Sequence, residues 1–379
     1  MKGYLAAASV LVIAVSLLTA QEAGDTRSLI ERIQKVGREG KGNVEAAKAW
    51  KLLVAQGPTA IEPILTAMRD DDLTVVNWLR PAFEAIAESA LEQNQLSAET
   101  LEKIVANTKN AGIARRAAYE WLVKLDDSTP SRLLPGMLLD PSPDLRREAV
   151  NRFIDQAAKA TDKKEAQELY RKALTGAADP EQVEKIADAL GKLGDKVDLA
   201  KHFGVISDWY LVTPFDHRDG IGWNKAYPPE QRVDVTATYV GKNGKQASWL
   251  AHKTSDPRGL VDLNKIFGPL KGTIAYACAF IESPETRVAY LRVSSINGLK
   301  VFLNGKEVFA REEYHHGMPI DQYTIRVTLN QGVNTLLLKV CQNEQTEKWA
   351  QEWKFQARLC DFVGSAVPFK TVPAPKGGK

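Results

Sequence analysis

The sequence predicts an α+β multidomain protein, an N-terminal α-solenoid of helical hairpins followed by an antiparallel β-sandwich or jelly roll. Three observations predict it. Of the 29 Phe, Trp and Tyr residues, 21 lie after position 200. Before that point Ala, Leu, Glu and Lys recur with helical periodicity; after it come short alternating runs rich in Val, Thr, Tyr and Trp, punctuated by Gly, Asn and Pro. Within the helical part, segments resemble one another at offsets of about thirty residues, the sign of a stacked array in which no single pair buries its apolar face alone.

Along the chain, 1-MKGYLAAASVLVIAVSLLTA-20 has one Lys and then an apolar run too short for a comfortable membrane span. It reads as a secretory signal peptide cleaved after Ala20. An uncleaved anchor is the alternative, because Leu18 is large for the minus-three position. The helical repeat domain is expected over 28–200. In 57-GPTAIEPILTAMRDDDLTVVNWLRPAFEAIAESAL-91 and 130-PSRLLPGMLLDPSPDLRREAVNRFIDQA-157, a short first helix ends in an Asp-rich turn. A second helix opens with a Leu-Arg pair, at Leu79-Arg80 and Leu145-Arg146. Between them, 111-AGIARRAAYEWLVKL-125 is a second helix, and Leu96 to Val105 fits a first one. Two amphipathic helices follow over 163–177 and 179–194, the latter with Asp179-Pro180 as cap and first-turn pair.

From Trp209 about ten short strands are expected, near 209, 233, 247, 273, 287, 299, 306, 323, 334 and 352. Asn304-Gly305 marks a type I′ hairpin, since both central residues of that turn need positive φ. Leu299, Val301 and Leu303 share one face of their strand, as do Tyr323, Ile325, Val327 and Leu329, and Trp353, Phe355, Ala357 and Leu359; these are core stripes. The β domain is placed at 203–362, and 365–379, rich in Pro, Gly and Lys, is expected to be a disordered tail or crossing strap.

The 379 residues carry a net charge of +3, from 50 basic and 47 acidic residues that are interleaved along the chain. That removes the electrostatic footprint of a nucleic-acid binder. Export permits disulfides, yet there are three cysteines, Cys278, Cys341 and Cys360, so one is left unpaired. Buried free thiols are the simplest expectation, with a single bridge as the alternative.

Two family resemblances refine this outline. The segment 139-LDPSPDLRREAV-150 resembles the HEAT repeat: Asp140 closes a first helix, Pro143 and Asp144 open the second, and Arg146 follows. Such arrays are binding scaffolds, and the likeness covers about 45–160. The stretches 287-RVAYLRVSSINGLKVFLNGKEVF-309 and 329-LNQGVNTLLLKVCQN-343 resemble the galactose-binding-like β-sandwich of secreted proteins. Proteins of Planctomycete type join HEAT-like helices to such a module through a segment like 204-GVISDWYLVTPFDHRDGIGWNKAYPPE-230. The resemblance implies a non-catalytic module that binds a carbohydrate or an envelope protein.

Catalytic motifs are missing: there is no Cys-x-x-Cys, His-Glu-x-x-His, Gly-x-Ser-x-Gly or phosphate loop. No cofactor is expected. Asp216 and Asp219 beside Gly220 are hard oxygen ligands that suggest a structural calcium ion, although Asp and Gly also suit a plain turn. Sugar recognition pairs an exposed aromatic platform with a few polar groups. The candidate ligand-binding residues are therefore Phe302 and Asn304, with Trp223, Tyr227, Tyr314, His315 and His316 in loops. The competing expectation is that Phe302 packs under a loop or against the helices.

Overall fold

In the computed structural model, which describes residues 25–375, the chain runs through helices first and antiparallel sheets second. The expected signal peptide lies outside the described residues. Contacts divide the chain into two compact units, Met1–Ala160 with Lys172–Gly176, and Thr161–Arg171 with Ala177–Lys379.

The first unit contains α1 (Thr26–Ile33), α2 (Asn43–Ala55), α3 (Ile61–Ala67), α4 (Leu73–Glu92), α5 (Ala98–Ala106), α6 (Gly112–Leu125), α7 (Thr129–Leu133) and α8 (Pro143–Lys159). Caps set several starts: Asp25 accepts from Ser28 N, Asp72 from Val75 N and Ser97 from Thr100 N. Because Asp72 caps it, α4 begins at Leu73, well before the Leu79-Arg80 pair expected to open it. Helix α3 packs on α4 and α5, α4 on α6, and α6 on α8.

Buried polar groups tie neighbouring helices and turns together. Asp70, in the turn before α4, accepts from Gly112 N at 2.8 Å and Ile113 N at 2.9 Å, capping α6. Arg115, only 2% exposed, donates to Val105 O at 2.8 Å and to both Asp140 oxygens at 2.6 Å. Arg146 donates to Gly176 O at 2.7 Å. A second row of charges crosses the neighbouring helices: Arg80 of α4 reaches Glu120 of α6 at 2.9 Å, and Arg116 of α6 bonds Glu148 of α8.

Helix α9 (Lys163–Gly176) is shared between the units, while α10 (Pro180–Lys192) and α11 (Leu199–Phe203) belong to the second. Gly204 ends α11 at φ +67, with its carbonyl accepting from Leu359 N at 2.9 Å; a Cβ there would lie 2.3 Å from Leu359 O. The boundary in composition near 200 and the boundary in packing near 160 therefore differ.

The β unit has thirteen strands among the described residues. They are β1 (Asp208–Asp216), β2 (Thr238–Val240), β3 (Gln246–Ser248), β4 (Leu250–Lys253), β5 (Val261–Asp262), β6 (Thr273–Ser283), β7 (Arg287–Ser295), β8 (Gly298–Leu303), β9 (Lys306–Arg311), β10 (Tyr323–Leu329), β11 (Gly332–Gln342), β12 (Lys354–Cys360) and β13 (Lys370–Val372). A seven-stranded sheet has the order β4-β1-β6-β11-β8-β9, with β13 also on β6; a four-stranded sheet runs β10-β7-β12-β5. All named pairs are antiparallel. Leu299, Val301 and Leu303 meet Ile325, Val327 and Leu329 in one core with Trp353, Phe355, Ala357 and Leu359, as the alternation predicts.

Three expectations change. The run expected from Val233 forms a strand only at β2, while β5 is too short to leave a sequence pattern. The segment expected as a disordered tail or crossing strap over 365–379 contains β13, whose residues Lys370, Thr371 and Val372 pair with Glu282, Ile281 and Phe280, which favours the second of those alternatives. Residues 376–379 lie outside the described residues. Between β1 and β4 the chain makes a long excursion, 217–249, that carries α12 (Pro228–Gln231), β2 and β3. Past β5, α13 (Leu263–Phe267) leads into β6.

Candidate functional site

The site begins with the alternation of β8. While Leu299, Val301 and Leu303 point into the inner core, Phe302 points out, into a second cluster with Val212, Phe215, Trp223, Tyr227, Tyr276, Phe280 and Leu337. The excursion 217–249 supplies much of this cover. Phe215 lies tilted against Tyr227 at 5.1 Å and edge-on at 5.2 Å against Tyr276, and Lys300 Nζ sits 4.8 Å above the Trp223 ring. Phe302 thus packs under a loop and is 8% exposed.

Trp223 and Tyr227, expected as an exposed platform, are 9% and 8% exposed. Their rings fill the second core. Tyr314 is half-buried against the same cluster. Asn304 and Gly305, at φ 52 and 78, form the expected turn. The Asn304 amide is engaged there: Oδ1 accepts from Thr335 N and Nδ2 donates to Asn334 Oδ1, both at 2.9 Å.

A buried cation pins the cover. Lys339, in the middle of β11 and fully buried, donates to Glu230 Oε1 at 2.8 Å, Lys225 O at 2.9 Å and Trp223 O at 3.3 Å. Tyr276 OH donates to the same Glu230 oxygen, and burial pushes its hydroxyl pKa up. Nearby, His217 is 1% exposed; its Nε2 shares a hydrogen bond of 2.7 Å with Tyr314 OH, and its Nδ1 has no hydrogen-bond partner. Burial, then the charge of Lys339, lowers its pKa to about 4. The Nδ1 edge lies against Gly222, where a Cβ would come within 2.9 Å of it.

The loop histidines do not converge. His315 Nε2 bonds Asn343 Oδ1 at 2.7 Å, whereas His316 Nδ1 meets Gln322 Nε2 at 2.9 Å. Sequence reasoning missed Trp349, which is 62% exposed and edge-on to His315 at 5.5 Å. It lies in an aperiodic loop, so nothing in the pattern separates it from a buried tryptophan.

Asp216 and Asp219, the candidate calcium ligands, are engaged separately. The Asp216 carboxylate takes both Arg218 Nε at 2.9 Å and Nη2 at 2.6 Å, and that guanidinium holds its pKa down to about 2. Asp219 instead uses its backbone N–H, donating to Glu344 Oε2 at 2.8 Å. Among the described residues no group of three His, Cys, Asp or Glu is placed to hold a metal. Cys278, Cys341 and Cys360 are buried free thiols.

A cleft of about 620 Å³ opens beside Phe302. Phe280, Phe302 and Leu337 form its floor, and residues 229–236, including Arg232, Asp234 and Thr236, form one wall. Asn304, Gly305 and Thr335 close one part of the rim, and Ala374 and Pro375 another. Asp234 accepts from Thr236 N at 3.0 Å and Thr236 Oγ1 at 2.7 Å, which holds its carboxyl below the usual range. The arrangement combines an apolar floor with a few fixed polar groups.

No family model matches this sequence, and no curated protein matches it. Among solved structures the chain is similar to a β-glucosidase from Kluyveromyces marxianus in complex with glucose, at TM-score 0.28 and 11% identity over 73% of this chain and 36% of that one. The Se-Met labelled β-glucosidase from the same organism gives TM-score 0.26 and 10% identity, over 74% and 35%. The GH31 α-xylosidase from Xanthomonas citri gives 0.20 and 11%, over 41% and 16%. The chain spans about a third or less of the length of these structures. At TM-scores this low the likeness fixes neither fold nor function.

Proposed function

We propose that the protein is an exported, non-catalytic binding protein, in which a HEAT-like helical solenoid precedes a galactose-binding-like β-sandwich that recognises a carbohydrate or an envelope protein. The cleft beside Phe302 carries this reading. Its volume of about 620 Å³ suits a small ligand or a short chain segment, and an apolar floor with convergent polar groups is how such sites orient what they hold. The strongly placed titratable groups nearby are spent on structure: Glu230 on Lys339 and Tyr276, Asp216 on Arg218. That supports binding over acid–base chemistry.

Support for the solenoid comes from the repeated ties between hairpins, Asp70 to α6 and Arg115 to Asp140, each a turn residue meeting the next or previous unit. Support for export comes from the composition of the first twenty residues.

The test is a glycan array of bacterial envelope polysaccharides, run with wild type, Phe302→Ala and Thr335→Trp. Thr335 lines the rim and is only half-buried, so the larger ring blocks the cleft while the floor stays in place. Binding that falls by at least about tenfold in both variants is the expected result. Glycan binding undiminished by Thr335→Trp would remove the cleft as the site.

A further inference from the structure

Resting on the reading of the cleft as the binding site, we infer that its ligand is an extended, proline-bearing polypeptide segment from another protein, with small apolar residues at alternate positions. The chain itself already lays such a segment at one end of the cleft. Strand β13 takes the place beside β6 just beyond the residues paired with β1: Val372 pairs with Phe280, whereas Tyr210 pairs with Cys278.

After Val372 the sequence is Pro-Ala-Pro. Proline has no N–H to continue the ladder, fixes its own φ near −65° and drives the residue before it into the extended region. The segment therefore leaves the sheet yet stays extended. Val372 and Ala374, two apart, both pack on the second core, and Ala374 N donates to Tyr210 OH at 3.4 Å. Pro375 and Ala374 then form the end of the open cleft, whose floor continues over Phe280, Phe302 and Leu337. Among the described residues the cleft runs on from a groove whose first part holds an extended chain.

The floor also argues for a narrow ligand. Phe280 and Phe302 are 6% and 8% exposed, so only a narrow strip of each ring is open to a ligand. A narrow apolar strip suits proline rings and small side chains, as in other grooves that read extended peptides. Arg232 and Asp234 on the wall supply opposite charges to flanking residues.

The experiment is an array of peptides of about six residues, the length of an ordinary strand, centred on Val-Pro-Ala-Pro and varied at every position, probed with the full-length protein. Hits are followed by fluorescence anisotropy with wild type, Thr335→Trp and Gln231→Trp, an exposed wall residue outside the sheet. Expected are hits with small apolar residues at alternate positions, loss on replacing them with Glu, and weakening of at least about tenfold in folded Thr335→Trp or Gln231→Trp. No peptide binding, or binding that ignores the alternation or both tryptophans, overturns the inference. If peptides fail while glycan binding is lost in Thr335→Trp, the inference falls and the cleft reading stands; if neither ligand responds, both fall.

Discussion

The inner face of the seven-stranded sheet meets the four-stranded sheet through Leu, Val, Ala and Ile at alternate positions. Its outer face meets one excursion of the chain through Phe215, Trp223, Tyr227, Tyr276 and Phe302, with His217 and Lys339 buried among them. Strand β11 serves both: Leu336, Leu338 and Val340 face in, Leu337, Lys339 and Cys341 face out. The inner core is held mainly by shape and area, and tolerates change in proportion to the volume removed. In the outer core a loop is held over a sheet by a few polar groups that are costly to leave unpaired. A cover of that kind can lift while the sheets beneath stay closed.

Neighbouring residues on β11 break this comparison most directly. Lys339→Met leaves Glu230 nearly buried without its cation, and the expected cost is about 3–5 kcal/mol, with hydrogen exchange rising first over 217–249. Leu338→Ala is expected to cost about 2–5 kcal/mol by emptying the inner core, with exchange rising evenly over both sheets. Denaturant melts paired with exchange maps tell the two apart. If Lys339→Met loosens the whole unit evenly, the two cores are one cooperative block.

Acid sharpens the contrast through His217. Its folded pKa of about 4 lies below the ordinary value of 6.5, so the unfolded chain takes up the proton first as pH falls. The contribution of neutral His217 is complete above 6.5, declines between 6.5 and about 4, and is gone below that. Melting temperatures across this window, wild type against His217→Gln, are expected to converge as pH drops; parallel curves would exclude the histidine as a source of acid sensitivity.

The smallest effect is expected at the hairpin tip. Asn304→Ala places a Cβ-bearing residue without a local side-chain acceptor at φ 52 and removes the bonds to Asn334 and Thr335. Roughly 1–2 kcal/mol is expected, read from a denaturant midpoint. A neutral result would mean that the turn is held by its strands alone.

The inner core was legible because alternation is a property of the chain itself: Ile325, Val327 and Leu329, or Phe355, Ala357 and Leu359, declare a face without reference to any partner. The outer core was not, because Trp223 and Tyr227 sit in an aperiodic loop where burial depends on what the loop folds onto. Lys339 was hidden for the same reason, since a lone Lys in a strand reads as a solvated position. Phe302 was legible as left over from the stripe, and its neighbours were not. The presence of helices through the first half followed from periodicity, while the start of α4 was misplaced because the cap at Asp72, one of several aspartates in that turn, outweighed the Leu-Arg pair. Strand β13 escaped notice because Pro and Lys around it mask three residues of pairing.

The free cysteines add a clock. Cys278 and Cys341 lie under the outer cover with no exposed surface, and burial raises both thiols, Cys341 to about 12. Neither is a competent nucleophile while the cover is down. A thiol reagent offered to the native protein therefore waits for the loop to rise, and its consumption counts openings one molecule at a time. Cys360, on β12 in the other sheet, is buried with its Sγ donating to Tyr290 O at 3.4 Å, and provides the internal control for opening of the whole unit.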